Sequence, residues 1–113
     1  MQAPQTAVLL RIYTEEGKQN GHKPLYEEIV VKARKSGLAG ATVLRGPMGY
    51  GHSTVIHTAK ILDLSAKLPL VIEIVDSEDK IRAFLAELSG MSDIGLVTME
   101  KVEVVHYGNT PKQ

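Results

Sequence analysis

Apolar positions in this chain come in short blocks, and their spacing switches between the two-residue period of a strand and the near-four-residue period of a helix. Ala7-Val8-Leu9-Leu10-Arg11-Ile12-Tyr13 is too short for a helix, and the polar stretch 14–21 stops it, so it reads as a strand. Pro24 suits a first helical turn, Leu25, Ile29 and Ala33 recur four apart, Glu28 stands one turn before Lys32, and Gly37 closes the segment as a C′ residue. A second strand is expected over about 40–45 and a third over 70–75, the run Leu70-Val71-Ile72-Glu73-Ile74-Val75. Asp76 or Ser77 can cap the next helix, with Glu78 and Asp79 placed well for its dipole. Ile81, Phe84, Leu85 and Leu88 then make an amphipathic stripe that Gly90 ends. A last strand falls within 96–107, and 1–6 and 108–113 read as tails around one domain of 7–107.

The order is β-α-β-β-α-β, an α+β arrangement in which two helices cover one face of a four-stranded sheet: the ferredoxin-like sandwich. No strand is expected to resume between about residue 46 and Leu68, which leaves a long loop, 46–67, between strands two and three. The uncovered face has a consequence of its own. Val8, Leu10 and Ile12 face one way and Ala7, Leu9, Arg11 and Tyr13 the other, while Leu70, Ile72 and Ile74 oppose Val71, Glu73 and Val75. Both faces are substantially apolar, unlike a sheet half open to water. A chain this short has no third layer, so copies of itself are expected to cover the second face as a homo-oligomer. Arg11, Arg45 and Glu73 would then be charges near the interface, costly unless paired or facing a solvated cleft.

Composition narrows the partners. The chain has 113 residues, near the common size of one domain, with Lys+Arg and Asp+Glu balanced at 13 each. That balance supplies no broad positive field for nucleic acid or an anionic membrane. There is no cysteine, which excludes disulfides and thiolate metal sites and fits a cytoplasmic setting. No apolar run approaches the roughly 18 residues of a membrane span, and 1–6 lacks the features of a signal peptide. No membrane insertion is expected.

The chemistry concentrates in Gly40-Ala41-Thr42-Val43-Leu44-Arg45-Gly46-Pro47-Met48-Gly49-Tyr50-Gly51-His52. Gly46, Gly49 and Gly51 lack the Cβ that holds a ligand off the backbone, so their N–H groups could approach an anion; a plain turn is the alternative. Arg45 offers a fork for a phosphate or carboxylate, or else a salt bridge to Glu73 or another carboxylate. Tyr50 could stack on a base or anchor its own loop, and His52 could donate to an anion or stand solvated. Lys18, in the hairpin-like 14–21 stretch, could reach a cleft or remain a surface charge. Ser53, His57 and Asp63 carry the groups of a hydrolase, yet there is no Gly-x-Ser-x-Gly elbow to hold the serine. His22, His52, His57 and His106 have no recognised zinc spacing. The glycine order is neither a dinucleotide fingerprint nor a P-loop.

With that topology and the segments 40–46 and 49–51, the chain resembles the PII-like family catalogued as domain of unknown function number one-ninety. The resemblance extends to Lys23-Pro24-Leu25-Tyr26-Glu27, His57-Thr58-Ala59-Lys60, Leu68-Pro69, Val71-Ile72-Glu73-Ile74-Val75-Asp76 and Lys80-Ile81, and covers about 7–107. It implies a compact homotrimer similar to PII signalling proteins, with adenine nucleotides in clefts between subunits and a signalling loop at 46–67. Two departures stand out. PII proteins carry a glycine-lysine phosphate loop after the second helix, where this chain has Ser89-Gly90-Met91-Ser92-Asp93-Ile94-Gly95; they place arginines after the last strand begins, where this chain has Glu100, Lys101, Glu103 and His106.

The expectation is therefore a non-catalytic regulatory trimer that requires no cofactor. A small anionic ligand, ATP, ADP or AMP, would be held by Arg11, Lys18, Arg45, Gly46, Gly49, Tyr50, Gly51 and His52. The loop would report to a target protein, such as a membrane transporter or an enzyme. The alternatives are a hydrolase at the same cleft and a divalent-metal-responsive trimer.

Overall fold

The computed structural model describes residues 5–59, 67–91 and 94–108. In chain order the elements are β1 (Gln5–Glu15), β2 (Gln19–Asn20), β3 (Lys23–Pro24), α1 (Leu25–Lys35), β4 (Thr42–Arg45), β5 (Met48–Gly49), β6 (His57–Thr58), β7 (Pro69–Asp76), α2 (Glu78–Leu88) and β8 (Val97–Val104). Four of them form one antiparallel sheet in the order β4-β7-β1-β8. The two longest pairings, β1 with β7 and β1 with β8, put the first strand at the centre. This is the ferredoxin-like βαββαβ sandwich that the period of the apolar residues predicts.

One face is the core. Leu10 and Ile12 of β1, Ile72 and Ile74 of β7, Leu25 and Ile29 of α1, and Ile81 and Phe84 of α2 are fully buried there. Each such side chain contributes about 1.5–3 kcal/mol relative to exposure. The strict alternation of buried and half-buried positions along β7 shows which side the helices cover. Both helices begin and end on local chemistry. Pro24 precedes α1, Ser77 Oγ accepts from Lys80 N at 3.4 Å to cap α2, and buried Asp76 accepts from Ser77 N and Ala39 N, tying the β4 approach to the start of α2.

The structure differs from the pattern in two places. Strand one outruns its apolar block at both ends: it begins at Gln5, inside the stretch expected as a tail, because Gln5 and Thr6 pair with Val104 and Glu103, and it runs on to Glu15 because Thr14 and Glu15 pair with Leu70 and Pro69. The two connections expected as loops each contain a two-residue ribbon, β2–β3 and β5–β6. Ribbons that short are made by backbone hydrogen bonds and leave no hydrophobic period to read. Among the described residues no helix is long and apolar enough to cross a membrane.

Candidate functional site

The sheet face away from the helices carries Leu9, Tyr13, Leu44, Val71, Val75 and Val102, all half-buried or exposed. At its centre Arg11 Nε donates to Glu73 Oε2 at 2.9 Å and Nη1 to Glu100 Oε1 at 2.8 Å. The hydrogen bond that Arg11 donates to Glu73 is the main cause holding the guanidinium above its usual pKa; desolvation opposes it, and the charge of Glu100 adds to the rise. Glu100 lies on the edge strand β8 and keeps 56% of its side chain exposed, so the second carboxylate remains solvated.

A second group of charges gathers where β1 ends. Glu16 Oε2 pairs with Arg45 Nη2 at 2.8 Å, and Glu16 Oε1 accepts from Leu68 N at 3.0 Å. The backbone doubles that link, since Glu16 N donates to Leu68 O at 2.9 Å. The neighbouring Glu15 Oε2 meets His57 Nε2 at 2.9 Å, with both side chains about four-fifths covered. Two successive carboxylates therefore hold the end of β4, strand β6 and the return end of the long connection. The Arg45 pair is 64% exposed on the arginine side, and such a pair is worth on the order of 0.2–1 kcal/mol.

Glycines at the loop base have a packing reason to be there. A Cβ on Gly46 would come to 3.3 Å from Pro69 Cγ, and one on Gly49 to 3.2 Å. The Gly46 amide already donates to Pro69 O at 2.9 Å. Neither residue has positive φ, so room rather than backbone freedom selects glycine. Gly51 opens a turn closed by Thr54 N donating to Gly51 O at 2.8 Å, with β-branched Thr54 at φ 61°, an unfavourable region for that residue. Tyr50 is 70% exposed, and His52 is exposed in the turn. Lys18 sits in the bend between β1 and β2, its N donating to Glu15 O at 3.2 Å and its O accepting from Leu25 N at 2.9 Å.

The residues singled out in the sequence thus divide. Arg45 is in register with buried Leu70, on the helix-bearing side, whereas Arg11 is in register with Glu73 on the opposite side. The expectation that Arg45 joins Arg11 and Glu73 on the uncovered face is therefore not met, and one chain does not bring the two arginines together. Arg45, Gly46 and Gly49 do cluster, around Pro69 and Glu16. Glu15 and Glu16 went unnoticed in the sequence, because two carboxylates closing a strand look like ordinary solvated charge, and Pro69 stood there only as part of the entry to the third strand. Of the hydrolase groups, His57 is paired with Glu15, no hydrogen bond joins Ser53 to a histidine among the described residues, and Asp63 lies outside them, as do Lys60, Ser92 and Asp93. Among the described residues no three of the His, Asp and Glu side chains converge as a metal site. At the other end of the open face Tyr107 donates to Ala39 O at 2.5 Å, across an open cavity of about 520 Å³ walled by Thr42, Glu73, Val75, Val102 and His106.

Comparison with known proteins agrees with this architecture. The structure of CPII from Thiomonas intermedia bound to ADP and bicarbonate superposes with a TM-score of 0.64 at 20% identity, covering 90% of this chain and 91% of that one. A protein from Thermus thermophilus described as PII-like signaling gives a TM-score of 0.63 at 19% identity, over 88% and 90% of the two chains. Both likenesses show the fold, which is PII-like. In sequence, a UPF0166 protein of Aquifex aeolicus is 44% identical over 98 residues, 87% of this chain and 92% of that protein. The family model DUF190, described as uncharacterized ACR, matches residues 7–104. A match across both helices and all four strands of the main sheet leaves one assignment: the chain belongs to the DUF190 family.

Proposed function

We propose that this protein is a PII-like regulatory homotrimer that binds a small anionic ligand, an adenine nucleotide, in clefts between subunits and signals through the 46–67 loop. The observation that carries the reading is the sheet face centred on Arg11, which is apolar around a paired charge and which no helix covers among the described residues. Water against Leu9, Leu44, Val71 and Val75 is unfavourable, and copies packed on that face would remove it. The ion pairs at its centre satisfy Arg11 within the chain, so burial would not strand its charge. The fold shared with the ADP-bound Thiomonas intermedia protein supports the choice of ligand class.

Arg45 is the anchor for phosphate in this reading, with Gly46, Gly49, Tyr50, Gly51 and His52 on the adjoining segment and Lys18 at the neighbouring bend. Arg11, on the opposite face, would reach a ligand only across a subunit boundary. Capture of a nucleotide would change the order of the loop and so present or withhold a surface for a target protein, such as a membrane transporter or an enzyme. Sedimentation velocity at micromolar concentration should give a trimer, and titration calorimetry should give saturable binding of ATP, ADP or AMP without turnover. A stable monomer, or no heat with any of the three at millimolar nucleotide, would overturn the proposal.

A further inference from the structure

Arg45 is already engaged by its own chain. Glu16 holds it through one carboxylate oxygen and the Leu68 amide through the other, so a single side chain joins the proposed anion anchor to the return end of the loop. The arginine is largely exposed and its partner largely covered, at 64% and 22%. A solvated guanidinium exchanges partners readily, whereas the repulsion between a mostly covered carboxylate and an incoming phosphate is less screened by water. Resting on the nucleotide reading above, we infer that Glu16 is a built-in competitor for the anion site: a phosphate captured by Arg45 displaces Glu16, and the displaced carboxylate lets go of Leu68.

The consequence is a mechanical link that needs no further element. Leu68 is buried and immediately precedes Pro69, the ring on which Gly46 and Gly49 pack. Slack at Leu68 therefore reaches both ends of the 46–67 segment at once. The backbone bond from Glu16 N to Leu68 O keeps the strand in place while the side-chain bond is exchanged. Glu15 and His57 form a separate clasp on β6 and are not required to move.

Glu16→Gln separates charge from structure, because its amide oxygen can still accept from Leu68 N while the repulsion is gone. Calorimetry with ADP on the full chain should show Glu16→Gln binding about tenfold tighter than the parent and Arg45→Ala binding markedly weaker. Hydrogen exchange at the Leu68 amide should quicken severalfold when the parent is saturated with ADP and change little in Glu16→Gln. ADP binding that Glu16→Gln leaves unchanged or weakens overturns the competitor and leaves the nucleotide reading standing, as does a Leu68 amide that slows with ADP. No binding by either protein overturns the nucleotide reading itself, and the competitor with it.

Discussion

Gly95 offers the sharpest test of the strand register that positions everything else. It lies where the chain enters β8, and a Cβ built on it would stand 2.7 Å from Tyr13 O and 3.7 Å from Tyr13 C. Carbon–oxygen contacts between strands settle at about 3.3–3.6 Å, so Gly95→Ala demands a backbone shift of more than half an ångström. Neither side can yield by a rotamer change. The nearest bond to give is Tyr13 N to Leu96 O, 2.8 Å long, one residue further along. Overpacking costs about 1–3 kcal/mol and a weakened hydrogen bond about 1 more, so the variant should lose about 2–4 kcal/mol. For a domain of this size that is a fall in Tm of about 10 °C or more. Gly90→Ala is the matched control, because a Cβ there meets nothing within 4 Å and φ is not positive. Its stability should stay within about 0.5 kcal/mol of the parent, or rise slightly as the unfolded chain loses freedom. Circular dichroism melts at one fixed protein concentration without nucleotide make the comparison, since self-association makes Tm depend on concentration. A Gly95→Ala melt within about 2 °C of the parent would refute the close approach of β8 to β1 at Tyr13.

Three further outcomes are expected. Phe84→Ala, at a side chain 1% exposed in the centre of the core, should cost about 3–5 kcal/mol, read as a lower urea midpoint at unchanged slope; a loss under about 1 kcal/mol would mean that the helix does not pack as described. Arg11→Met should weaken self-association by leaving Glu73 and Glu100 without their shared partner, and Glu73→Gln in the same chain should restore part of it; sedimentation that is blind to both changes would place the interface elsewhere. Arg82, bonded to Glu78 at 2.8 Å, holds that carboxyl below its usual range, so the pair's contribution is present above the unfolded carboxylate pKa and lost as pH falls through the folded one. Glu78→Gln should therefore sit slightly below the parent at neutral pH and merge with it on acidification, followed by urea titration across pH; a gap that widens in acid would contradict the sign.

The β-period of 7–13 and 70–75 and the helix period of 25–33 and 81–88 are written into nearest neighbours, so the order of the two helices and four main strands, the two rows of each strand and the apolar character of both faces could be read from residue spacing. The glycines of 46–51 were legible as a special loop base but not for the reason they are glycine. Gly46 and Gly49 make room for Pro69, a residue that comes back beside them only when β7 pairs with β4.

What decides the charges is register. Arg11 and Arg45 look equivalent along the chain, as strand arginines near polar turns, yet pairing Arg45 with Leu70 and Arg11 with Glu73 sends them to opposite faces. Glu15 and Glu16 likewise become clasps on His57, Arg45 and Leu68 because β1 ends beside the stems of the long loop. Local spacing determines which way a side chain points from its own strand. Which side chain it then meets depends on how distant strands align, and the summed packing of the whole sheet sets that alignment.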